Sequence, residues 1–131
     1  MKFVEKGDLI VARFDDGENF LEGIMPLIEY GAPLKVVLSG LGMFRSVKLG
    51  YFEKGKYIEH YIPEPVEVLA LSGSLMKNAE PPYHLHAVVG LRSGEVKGGH
   101  LISAEVWNTL EIFFRKSELD LRRDERKHLD I

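Results

Sequence analysis

From Leu34 onward the chain is a succession of short strand-like runs, each closed by turn residues, and this pattern sets the fold class. Leu34 to Gly40, more loosely Phe44 to Glu53, then Tyr57 to Ile62, Val66 to Leu75 and His84 to Arg92 follow one another. A short strand is expected from Val96 into Gly98-Gly99-His100-Leu101, and a strong one over Thr109 to Arg115. Glu53-Lys54-Gly55-Lys56, Pro63-Glu64-Pro65 and Arg92-Ser93-Gly94-Glu95 punctuate them as turns or breaks. Gly40 and Gly42 are expected to break the Leu34 run. Gly73 is expected to mark a bulge or a close approach. A further strand, Asp8 to Phe14, ends at Asp15-Asp16-Gly17.

One stretch has a different period. Phe20, Leu21, Ile24, Leu27 and Ile28 recur at spacings of three and four, which predicts a helix from Glu18 to Tyr30 with one apolar face. Asp15 or Asp16 is expected to cap its start and Gly31 to end it. Pro26 is expected to kink or shorten it. The fold class that follows is α+β: a mostly antiparallel mixed sheet, one helix in the N-terminal half, and short flanking helices.

With 131 residues, 45% of them hydrophobic and 28% charged, the chain fits one compact domain with a real core. Residues 1–116 are expected to form it, leaving 117–131 as a charged tail or short helix. From Arg115 to His128 there are six Lys or Arg against four Asp or Glu. Such mixing reads as a solvated surface, because interleaved acids repel the phosphates that a basic arm would bind. The net charge of -3 offers no global basic field for nucleic acid or an anionic membrane. No cysteine is present, so thiolate metal sites and disulfides are excluded. That count fits a cytoplasmic protein. The first residues lack a secretory pattern, and no apolar stretch is long enough to span a bilayer.

Three histidines fall within seventeen residues, His84 and His86 in one apolar run and His100 after Gly98-Gly99. Residues two apart on a strand share a face, about 7 Å apart along it. The glycine pair would let a neighbouring strand bring His100 against that face. Three neutral imidazoles make a ligand set for zinc or another divalent transition metal, with a coordination position left open. The bland alternative is a hydrogen-bonded polar cluster. His60 reads as surface or interface, and His128 belongs to the tail. Glu67, in the otherwise apolar Val66-Glu67-Val68-Leu69-Ala70-Leu71, is a weak candidate to orient an imidazole or act as a base. Its alternative is a solvent-facing position or a pair with Arg13. Glu111 raises the same question with less support. Phosphate loops, dinucleotide fingerprints and nucleophile elbows are absent.

Val66 to Leu75, His84-Leu85-His86 and Gly98-Gly99-His100-Leu101 together resemble the plants-and-prokaryotes-conserved domain, also called domain of unknown function 296, in its single-domain form. The resemblance covers about residues 5 to 116. It implies a homotrimer and metal binding at His84, His86 and His100. Prokaryotic members have been labelled predicted DNA-binding proteins, and plant relatives carry AT-hooks. This chain has no AT-hook, which removes one route to the minor groove. The fold is also distantly similar to that of acetolactate decarboxylase, a zinc enzyme with a three-histidine site. The expectation is therefore a trimeric, zinc-binding protein with no membrane segment and a possible DNA partner. The alternative is a small zinc-dependent enzyme acting on an oxygen-rich small molecule.

Overall fold

Two very long antiparallel strands, β3 (Leu34–Glu53) and β7 (Val96–Ser117), organise the molecule. The computed structural model describes all residues, Met1–Ile131. The remaining elements are β1 (Lys2–Lys6), β2 (Leu9–Asp15), α1 (Phe20–Glu29), β4 (Lys56–Ile62), β5 (Val66–Met76) and β6 (Tyr83–Gly90). The seven strands form one sheet in the order β1-β2-β7-β6-β5-β3-β4. An additional pairing of β7 with β3 closes β3, β5, β6 and β7 into a ring. Every pairing is antiparallel, so the expected mixed character is absent. The expected flanking helices are absent too, and α1 is the one helix.

The two long strands correct the sequence reading. Gly40 and Gly42 do not break β3, because register shifts at Val37/Ser39 and Gly42/Phe44 absorb them within a continuous ladder. The stretch between Leu101 and Thr109 also stays in β7. There Ala104 and Val106 are buried, while Ser103, Glu105 and Trp107 remain partly open. Strand β1 went unforeseen, because it is an edge strand whose side chains are exposed apart from the partly covered Phe3.

Helix α1 buries Phe20, Ile24, Leu27 and Ile28 in the main apolar core, beside Phe14, Phe44 and Phe114 from the sheet. Its cap is Asn19 rather than Asp15 or Asp16: the Asn19 side chain accepts from the Glu22 N–H at 3.0 Å. Pro26 sits inside the helix, which still reaches Glu29, where the Tyr30 N–H donates to the Pro26 carbonyl. Just beyond, Lys35 is 1% exposed, and its ammonium donates to the Ala32 carbonyl at 2.8 Å and to that of Ile28 at 3.4 Å. Burial, and then the Lys77 charge, push its pKa down to about 8.

After Ser117 the chain leaves the sheet without forming a helix and folds back on it. Leu121 packs on a small cluster of Leu34, Met76 and Ala79, and the Asn78 amide donates to Asp120 at 2.9 Å. Arg123 and Leu129 form an isolated antiparallel bridge. The Asp124 carboxylate closes the intervening turn by accepting from the N–H groups of Arg126 (2.8 Å) and His128 (3.0 Å). The charged stretch 117–131 thus forms no short helix; most of it is exposed, and its middle is pinned as a turn.

Candidate metal centre

The three histidines meet where β5, β6, β7 and β3 adjoin. On β6, Leu85 and Ala87 are buried in the core, so the alternation turns His84 and His86 to the other face. His86 stands directly opposite His100 on β7, and His100 in turn pairs with Gly50 on β3. Strand β5 backs the pair, with Ser74 opposite His84 and Ser72 opposite His86.

Two glycines permit this crowding. Gly73 has φ +128°, and a Cβ there would collide with the His84 carbonyl oxygen. Any other residue would push β5 away from the histidine strand. A Cβ on Gly99 would stand 2.7 Å from the Gly50 carbonyl oxygen, so β7 can lie this close to β3 only without one.

One ligating nitrogen from each imidazole lies within 4.8 Å of the others, and the Nε2 atoms of His84 and His86 are 3.2 Å apart. Two nitrogens on one tetrahedral zinc, each at about 2.0–2.1 Å, would stand about 3.4 Å apart. Tyr57 stacks on the His100 ring at 4.4 Å between centroids and 18° between planes, which fixes the orientation of that imidazole. His100 Nδ1 is buried and has no hydrogen-bond partner. Three imidazoles this close, one of them with a buried unpartnered nitrogen, fit a divalent transition metal.

Electrostatics favour the ligating form. Burial, then His84 and His86, push the His100 pKa down to about 4. Burial, then His86 and Arg123, hold His84 below the usual imidazole range. Neutral imidazoles are the species that bind metals.

The cluster opens into a pocket of about 660 Å³. Its walls are aromatic, from Tyr51, Phe52, Tyr57 and Tyr83, and the tail supplies Arg123, Arg126, Lys127 and His128. Glu67 does not line it. That side chain is exposed on β5 and pairs with Met43 and Gly90, four β6 residues from His86. Arg13 pairs with Asp15 at 3.0 Å instead of with Glu67. His60 is exposed on β4 and is neither among the converging imidazoles nor in the pocket lining, and Glu111 lies opposite Arg13 and Leu41. Sequence reasoning missed the tail residues. Their one signal was the pair of leucines, Leu121 and Leu129, bracketing a charged stretch that carries its own turn-forming aspartate.

The family model of the Plants and Prokaryotes Conserved (PCC) domain matches residues 1–118. The chain belongs to this family. Among solved structures, this PCC-domain protein is similar to a metal-containing protein from Archaeoglobus fulgidus, with 31% identity over 99% of this chain and 95% of that one and a TM-score of 0.77. A plant- and prokaryote-conserved protein of Pyrococcus horikoshii shares 23% identity over 94% of this chain and 87% of that one, with a TM-score of 0.78. A protein from Ralstonia eutropha JMP134, whose DNA-binding name is provisional, shares 19% identity over 99% and 96% of the two chains, with a TM-score of 0.85. The last two likenesses bear on the fold alone. No curated protein matches the chain. No helix is long and apolar enough to cross a membrane.

Proposed function

We propose that this PCC-domain protein binds a divalent transition metal, zinc by preference, through His84, His86 and His100, as a homotrimer in the cytoplasm. The observation that carries the reading is the convergence of three imidazole nitrogens within 4.8 Å at the floor of an open pocket. The metal-containing name of the Archaeoglobus relative supports it. Zinc suits a tri-imidazole set with no thiolate, and as a Lewis acid it would polarise an oxygen of a bound molecule. Self-association is supported by apolar side chains left outside the sheet. Leu41 and Leu69 are 49% and 54% exposed where β3 and β5 run side by side.

The pocket favours one further reading, that of a zinc-dependent enzyme acting on an oxygen-rich small molecule. A purely structural metal is enclosed by its ligands, whereas three ligands under a cavity leave room for a substrate. DNA binding rests on the names of distant relatives, and a net charge of -3 opposes it.

Elemental analysis tests the metal. Protein purified without nickel affinity should carry about one zinc per chain, and the His84→Ala, His86→Ala double variant should carry almost none. Equal metal in the two would remove the tri-imidazole site. Light scattering that returns a monomer mass would remove the trimer.

A further inference from the structure

The tail brings positive charge to a site that has no negative charge of its own. No aspartate or glutamate lines the pocket, although acids outnumber bases in the chain by 20 to 17. Arg126 is 3.7 Å from Asp124, but Arg123 and Lys127 have no ion pair. The Arg123 guanidinium donates through Nη1 to the Lys127 carbonyl at 2.9 Å, and Arg123 lines the same pocket as the three histidines. Its Nε is buried and finds no acceptor. A divalent ion on three neutral imidazoles keeps its full charge, so these cations crowd a dication unless an anion lies between them.

We propose that the pocket binds a small organic carboxylate. Its carboxylate lies between the metal position and the Arg123 guanidinium, and its body lies along the aromatic wall of Phe52 and Tyr57. The proposal rests on the metal reading above and names the ligand class of that same site. The guanidinium's planar donors match a carboxylate, and Nη2 has no partner within the protein, with Nη1 committed to Lys127 and Nε buried. The aromatic faces of Tyr51, Phe52, Tyr57 and Tyr83 offer contact to an organic body, which a free phosphate lacks. A volume of about 660 Å³ suits a molecule with more than a methyl group behind its carboxylate.

The test is calorimetric titration of zinc-loaded protein with benzoate, acetate and inorganic phosphate, after the zinc content of each sample has been measured. Benzoate should bind most tightly. Arg123→Gln should keep its zinc and lose at least about tenfold in benzoate affinity. Arg123→Lys, which keeps the charge but not the planar donors, should recover part of that loss. Zinc-loaded protein that ignores benzoate, prefers phosphate, or binds benzoate equally well with and without the Arg123 side chain overturns the carboxylate. Protein that holds no zinc overturns the metal reading instead, and elemental analysis separates the two failures.

Discussion

The floor and the roof of the pocket are made by opposite means. The floor is sheet: His86 faces His100 because the β6–β7 register puts it there, and buried Leu85, Ala87 and Leu101 hold that register. To move one imidazole, a strand must slip, and a slip by one residue turns its apolar side chains out of the core. The roof is a turn without regular structure, held by one leucine on a small cluster and a few polar contacts. The floor should therefore be as stable as the whole fold, whereas the roof can open locally at small cost. On the metal reading proposed above, rigidly held imidazoles beneath a yielding cationic cover would keep the metal while a small molecule exchanges.

Gly73→Ala is the strongest test of the floor. The new methyl collides with the His84 carbonyl oxygen at a φ that L residues rarely adopt. A loss of at least about 3 kcal/mol is expected by urea unfolding, together with loss of zinc. Near-native stability and full zinc would show that the floor is not set by strand packing.

A second test shifts the stability of the scaffold and leaves both halves of the pocket untouched. Lys35 lies outside the pocket lining, with its folded pKa near 8 against 10.5 for an ordinary lysine. Between those values the unfolded chain binds the extra proton, so stability rises with pH through this window. The wild type should gain up to about 3 kcal/mol from pH 8 to 10.5 relative to Lys35→Met, which lacks the titrating group. Zinc content should be the same in the two proteins. Parallel stability-against-pH curves would mean that Lys35 titrates as it does in water.

The same division explains what could be read in advance. The histidines were legible because period-two alternation and a glycine pair are properties of neighbouring residues, and register then carries them into space. The ring closure of β3 on β7 was not legible, since pairing Leu34 with Ser117 joins positions remote in sequence. Glu67 attracted attention as a polar residue among apolar ones, but alternation turns it to solvent while Val66 and Val68 enter the core. The position of the tail over the pocket was not legible for a related reason. Its charges describe a solvated surface correctly, and Arg123 and Lys127 do reach solvent chemistry, but through a pocket. Only the docking of Leu121 on Leu34 and Met76 decides where the charges point, and a charge count contains no such contact.

The smallest expected effect is the sharpest test of the roof. Asp124 accepts two backbone N–H groups in the turn, and Asp124→Ala leaves both without that acceptor. Because the turn is exposed, water replaces the lost bonds, and global stability should fall by no more than about 1 kcal/mol. Zinc content should not change. Hydrogen exchange at the Arg126 and His128 amides should speed up about tenfold or more, while amides in β6 and β7 keep their protection. Benzoate affinity should fall as well, because Arg123 is steered by the Lys127 carbonyl of the same turn. If β6 and β7 lost protection together with the turn, floor and roof would be one cooperative unit. If no amide exchanged faster, the Asp124 contacts would not be what holds the cover in place.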